Sequence, residues 1–163
     1  MLQAEMYKNL FALTKRDKLD ESYHAAFYLL STDEKLYKKA LAHVDSDGID
    51  FTAIRRDCIE MGEQRRHVLD IAHNLFSWHS QSTVTPFDLS RLGYPLLDDV
   101  CNAMHIANGA VSVRIRENAA GVLELVLDDT KRKEIIRMNQ SISSLSDWLA
   151  GLDENEEGDR EIG

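Results

Sequence analysis

Apolar residues recur along the first hundred positions at intervals of three and four, the spacing that lines one face of an α-helix. Met6, Leu10 and Leu13, with Tyr7 and Phe11 beside them, predict a helix near residues 2–14. Tyr23, Ala26, Phe27 and Leu30 predict a second near 20–30, with Asp20 as its cap. Ser31 stands three residues before Glu34, the capping-box arrangement, and Leu36, Ala40, Leu41 and Val44 supply the stripe of a third helix. Phe51, Ile54, Cys58 and Met61 make a fourth, with Gly62 read as a left-handed C-cap. Val68, Leu69, Ile71, Ala72, Leu75, Phe76 and Trp78 cover more than one face, which predicts the longest and most central helix near 63–78. Thr85-Pro86-Phe87-Asp88 reads as a helix start, with Thr as cap and Pro at the first helical position. Leu97, Val100, Cys101 and Met104 mark a last bundle helix that stops at Asn108-Gly109.

After Gly109 the period shortens to two. Val111, Val113 and Ile115 alternate with Ser112, Arg114 and Arg116, and Leu123, Leu125 and Leu127 alternate with Glu124 and Val126. Asn118-Ala119-Ala120-Gly121 between them reads as a hairpin turn. An isolated ribbon is marginal in water, so a third extended piece is expected in Lys133 to Met138. A short helix capped by Ser144 and carrying Leu145, Trp148 and Leu149 is expected to cover the ribbon's apolar face. The expected class is α+β: a mainly α-helical bundle over 1–109, then a small antiparallel β-hairpin or meander with a short C-terminal helix over 110–152. Residues 153–163 are expected to form a disordered acidic tail.

Composition narrows the class without naming a task. A chain of 163 residues, 44% hydrophobic and 29% charged, is long enough for one real core. Charged residues interrupt every apolar stretch of the first thirty positions, which predicts no export signal, and no window reaches the roughly 18 apolar residues of a membrane span. Cys58 and Cys101 are expected as packing residues on helix faces in a reducing, cytoplasmic setting. Residues 153–163 hold six acids and one base, so more than half of the net charge of −9 lies there. That balance disfavours non-specific binding to a nucleic-acid duplex.

Chemistry-bearing residues are present without a catalytic constellation. His67, His73 and His79 are six apart, which leaves successive side chains about 120° from eclipsed on a helix and unable to chelate one ion. Asp45-Ser46-Asp47-Gly48 resembles a calcium loop, but the glycine comes early and Arg56 stands where a bidentate acid is needed. Asp70 and His73 have the spacing of a helix-surface pair. There is no Gly-rich phosphate loop, nucleophile elbow or zinc motif, so no catalytic residue, metal or cofactor is expected.

The charged candidates for partner binding are Arg55, Arg56, Arg65 and Arg66, with Gly62 between the pairs. Cations in a first helical turn oppose its dipole, so an anion or acidic partner surface is one explanation for Arg65 and Arg66. Pairing with Asp57, Glu60 and Glu63 is the other. Arg114 and Arg116 on a strand, near Lys131-Arg132-Lys133, form a second basic candidate, which a solvated sheet face explains as well. Glu117, Glu124, Asp128 and Asp129 form an acidic one.

Ala25-Ala26-Phe27-Tyr28-Leu29-Leu30-Ser31 with Glu34-Lys35-Leu36-Tyr37, then Ala72-His73-Asn74-Leu75-Phe76, Thr85-Pro86-Phe87-Asp88-Leu89 and Asn102-Ala103 carry a resemblance. Over about residues 5–108 the chain resembles a family of small bacterial helical proteins catalogued as a domain of unknown function, with the strand region as an addition. The resemblance implies a compact helical domain from bacteria or their mobile elements, with no activity and no functional residues to carry over.

The expected function is a non-enzymatic regulator or inhibitor that docks on another protein. A mobile-element, anti-CRISPR-like product aimed at a nucleic-acid-handling defence complex fits that expectation, since carboxylates can occupy a groove meant for phosphates. A nucleic-acid-binding module using the arginine pairs, and an enzyme of unfamiliar type, are the alternatives. A protein partner is expected ahead of direct nucleic acid, and no membrane. A homodimer is open, because periodicity does not separate core from interface.

Overall fold

Tyr23 and every residue from Ala25 to Leu30 are buried, so helix α2 (Glu21–Leu30) keeps no solvent face over its last six residues. Ala25 and Ala26 are small enough to let neighbouring helices close on it, and α5 (Glu63–Phe76) and α7 (Leu96–Ala107) both lie against it. Helices α1 (Gln3–Leu13) and α3 (Glu34–Ala40) complete its surroundings. The computed structural model describes residues 1–161, with side chains described through Leu152. It divides into two compact units, residues 1–128 and 129–163. The α+β class holds: a mainly helical bundle, a two-stranded antiparallel hairpin and a C-terminal helix.

The central place expected for the 63–78 helix belongs to α2. Glu63, Gln64 and Arg66 face solvent, α5 ends at Phe76, and its buried run is Val68 to Ala72. Trp78, counted in its apolar set, lies beyond the helix and is exposed.

Side-chain caps explain several of the helix starts. Asp20 accepts from the amides of Ser22 and Tyr23, as its position before the stripe predicts. Replacing Asp20 by alanine should lower stability by about 1 kcal/mol, read as an earlier midpoint in urea unfolding with an unchanged slope. For α3 the cap is Asp33, which accepts from Lys35 and Leu36, and not Ser31. Ser31 closes α2, its buried hydroxyl donating to the Tyr28 carbonyl at 2.9 Å, because α2 runs one residue too far for a serine there to begin anything. Helix α4 (Phe51–Asp57) closes at Cys58, and Gly62, with φ −56°, is the N-cap of α5 and not a left-handed C-cap. Thr85 and Asp88 form the expected capping box of the short α6 (Pro86–Ser90). Gly109, with φ +79°, follows α7 where the chain turns back.

Strands β1 (Ser112–Glu117) and β2 (Leu123–Asp128) pair antiparallel with Arg116 opposite Glu124. Val113, Ile115, Leu125 and Leu127 turn to the core, and β2 lies along α1. The ribbon is thus supported by the helical unit, with no third strand among the described residues. Residues 133–138, expected as extended, belong to α8 (Thr130–Glu161), as do the separate short helix expected from Ser144 and the backbone of the tail as far as Glu161. Ser144 is no cap: its hydroxyl donates to the carbonyl of Gln140 one turn back, at 2.9 Å. A six-residue window around Ile135 and Ile136 shows two adjacent β-branched residues and hides the longer helical period. The expected disorder of 153–163 concerns side chains, and for Ile162 and Gly163 backbone too, that lie outside the described residues. Cys58 is buried as expected, whereas Cys101 is exposed.

Candidate functional site

The polar centre of the helical unit is Asp70, the one buried carboxylate among the described residues. Its α5 position aims it at two other segments. One carboxylate oxygen takes a guanidinium nitrogen of Arg55 on α4, and the other takes the hydroxyl of Ser82 in the loop after α5. Ser82 in turn accepts from the Val84 amide at 3.2 Å, and Asn74 donates to the Ser80 carbonyl at 2.7 Å. Four polar side chains therefore fasten the 77–84 loop to the bundle. A carboxylate taken out of water is tolerated only with such charged and hydrogen-bonded partners.

This arrangement corrects the expected Asp70–His73 pair. One turn further along α5, His73 stacks flat on Phe51, with ring centres 4.7 Å apart, and its buried Nδ1 has no hydrogen-bond partner among the described residues. Burial, then the nearby Arg55 charge, holds its imidazole below the usual value. His24, beside the hydroxyl of Tyr7, is held down by burial as well. Below the ordinary imidazole value of 6.5 the unfolded chain therefore takes up protons that the folded chain does not, so stability falls with pH there. Acidification from about pH 7.5 to about 5.5 should lower Tm, and His73→Phe, which keeps the stack, should remove part of the fall. Equal falls in both proteins by circular dichroism would exclude His73.

A cleft of about 370 Å³ opens beside Asp70, lined by Arg55, Cys58, Ile59, Glu63, Arg66, His67, Leu69, Asp70, Thr83 and Val84. It brings Arg55 and Arg66 together as the sequence pairs imply, but their states differ. Arg55 is engaged by Asp70, while exposed Arg66 has no ion pair among the described residues. Arg65 leaves the cleft for Asp33, with Nε 2.7 Å from its carboxylate. Burial alone would raise the Asp33 carboxyl, but the Arg65 bond and the Leu36 and Lys35 amides outweigh it and hold it below the usual range. Arg56 lies exposed, 3.5 Å from Asp57. The expected partners Asp57, Glu60 and Glu63 thus account for Arg56 only. The acids that take Arg55 and Arg65 come from 15 and 32 residues away, beyond what helix spacing reveals.

The second basic candidate and the acidic one largely cancel. Arg114 pairs with Asp128 at 2.9 Å and Arg116 with Glu124 at 3.1 Å, while Asn118 donates to the other Glu124 oxygen. Asp129 pairs with Lys133 at 3.1 Å within the second unit. On the hairpin these are cross-strand contacts of an outward face, each worth only a fraction of a kcal/mol. Changing Arg114 and Arg116 together to alanine should shift the urea midpoint by well under 1 kcal/mol equivalent.

The exposed aromatics are absent from the sequence-predicted binding residues. Trp78 is 82% exposed, Tyr94 76% and Phe87 66%, all within the segment joining α5 to α7, and Ile59 at the cleft is 69% exposed. The Arg91 guanidinium lies over the Phe87 ring at 5.4 Å. The signal in the sequence is the density of aromatics in a stretch rich in Ser, Thr, Pro and Gly, where no stripe accounts for Phe87 or Tyr94.

The acidic Asp45–Asp50 turn is closed on itself, with Asp45 accepting from the amides of Asp47 and Gly48. Among the described residues no three His, Cys, Asp or Glu side chains gather as a metal site, and no helix is long and apolar enough to cross a membrane. No protein-family model matches the chain, and neither a curated protein nor a solved structure does.

Proposed function

We propose that this protein regulates or inhibits another protein by docking on it, and that the docking side chains are Trp78, Phe87, Tyr94 and Ile59, with Arg66 as the charged contact. The observation that carries the reading is the exposure of three large aromatics in one loop-rich segment, whose first part, around Trp78, is held by the bonds of Asp70 to Ser82 and of Asn74 to Ser80. Trp, Tyr and Arg dominate the energetics of protein interfaces, because they bring large area at little entropic cost. An anchored loop also loses less freedom on binding than a mobile one. The partner implied is a protein with apolar pockets and an acid opposite Arg66. The bacterial setting is what the resemblance over about residues 5–108 implies, and the anti-defence target rests on the chain's net acidic charge.

Direct nucleic-acid binding is the weaker reading, since five of the six candidate arginines are already opposite acids. Capture from a bacterial lysate by the wild type, by a Trp78/Phe87/Tyr94 triple alanine variant and by the Arg114/Arg116 double variant tests both. The triple variant should lose its partner, at about 30-fold in affinity for each true anchor, while the double variant keeps it. Unchanged capture by the triple variant would overturn the site. Salt-dependent retention of bare DNA or RNA by the wild type would replace the reading with the nucleic-acid one.

A further inference from the structure

Ile135, Met138, Ile142, Leu145, Leu149 and Leu152 follow one another on α8 at spacings of three, four, three, four and three. That is a repeat of 3.5 residues, which a straight helix of 3.6 residues per turn does not keep on one line unless it winds around another helix. Five of the six, from Met138 to Leu152, are 42–59% exposed. A helix of this kind does not stand alone well: Ser141, Ser143, Ser144, Ser146 and Gly151 are all poor helix formers, so an apolar stripe must be covered to stabilise it.

We infer that the occupant of this stripe is α8 of a second copy of the same chain, in a parallel two-stranded coiled coil over residues 135–152. In heptad terms the first positions are Ile135, Ile142 and Leu149 and the fourth are Met138, Leu145 and Leu152; two of the three former are β-branched and two of the three latter are leucine, the combination that favours two parallel strands. Charge permits a like partner over residues 135–152, before the acidic run that starts at Asp153. Residues 135–152 contain Arg137 and Asp147 and no other charge, so the stretch is neutral in a chain of net −9. The positions flanking the stripe include uncharged Asn139, Ser141 and Ser146, where like charges would otherwise repel a second copy. The area suffices as well. Twelve such side chains, each removing on the order of 60–120 Å² from water, bury roughly 1,000 Å², the threshold for a specific interface. The inference stands apart from the docking reading, which uses other residues.

Sedimentation equilibrium of the full chain from about 1 to about 100 µM should give a mass rising toward twice 18.6 kDa. Leu145→Asp should weaken the association at least about 100-fold, with the thermal transition of the helical unit unmoved. Ile136→Asp, equally apolar at the start but off the stripe, should leave the dimer intact. A wild type that stays monomeric at the highest concentration, a dimer indifferent to Leu145→Asp, or one lost equally with Ile136→Asp would each overturn the inference. In a Cys101→Ser background, Met138→Cys should oxidise to a covalent dimer, since only parallel strands bring the two copies of that position together. A dimer that fails to cross-link there would overturn the parallel arrangement.

Discussion

Replacing Arg55 by alanine is expected to destabilise the helical unit by about 3 kcal/mol, more than replacing the acid it serves. The asymmetry follows from burial. Asp70 is 7% exposed, and without Arg55 its carboxylate keeps only the Ser82 hydroxyl as a described side-chain partner. Arg55 keeps 39% of its side chain in solvent, so Asp70→Asn leaves a cation that water can reach and should cost only about 1–2 kcal/mol. In urea unfolding the double variant Arg55→Ala/Asp70→Asn should then be less destabilised than the sum of the two, because the stranded charge is gone. Additive losses, or a smaller effect for Arg55→Ala than for Asp70→Asn, would mean that the pair does not hold α4 to α5. Because Asp70 also fastens Ser82, amide exchange at residues 80–84 should quicken in both single variants, and the affinity of any partner docked on Trp78 should fall with it.

Truncating Phe27 to alanine should cost about 3–5 kcal/mol, a large part of the 5–15 kcal/mol that holds a typical domain. Phe27 is fully buried on α2, with edge contacts to Tyr7 at 6.4 Å and Tyr23 at 5.8 Å between ring centres. The surrounding helices α1, α5 and α7 cannot all close on the void, so most of the lost contact stays lost. Phe27→Leu, which keeps more of the volume, should cost roughly 1.5 kcal/mol or less. Thermal unfolding reads both, and a Phe27→Ala midpoint within a degree or two of the wild type would mean that α2 is not the centre of the core. Unlike Arg55→Ala, this change should not single out the 80–84 amides.

Most helices of the first hundred residues were legible because burial of a face writes its period into the chain. Local caps such as Asp20 and the Thr85–Asp88 box were legible for the same reason, their partners lying two or three residues away. The error at α8 shows the limit of short windows: Ile135-Ile136 looks like strand over six residues and helix over eighteen. The error at Ser31 was of another kind, since a serine between two helices can end one or begin the next, and a neighbouring Asp33 settled the competition. The arginine pairs were legible as unusual, but their partners were not.

The order of hydrophobic and polar residues by itself determined the helical class, the hairpin after Gly109 and the approximate ends of most helices, because those depend on neighbours within a turn or a strand pair. Tertiary structure alone decided that α2 is the centre, that Asp33 and Asp70 take Arg65 and Arg55, and that Trp78 stands in solvent. Each of these is set by which distant segments meet. An ion pair across 15 or 32 positions has no period, and a tryptophan two residues past the end of a helix has the same spacing as one inside it.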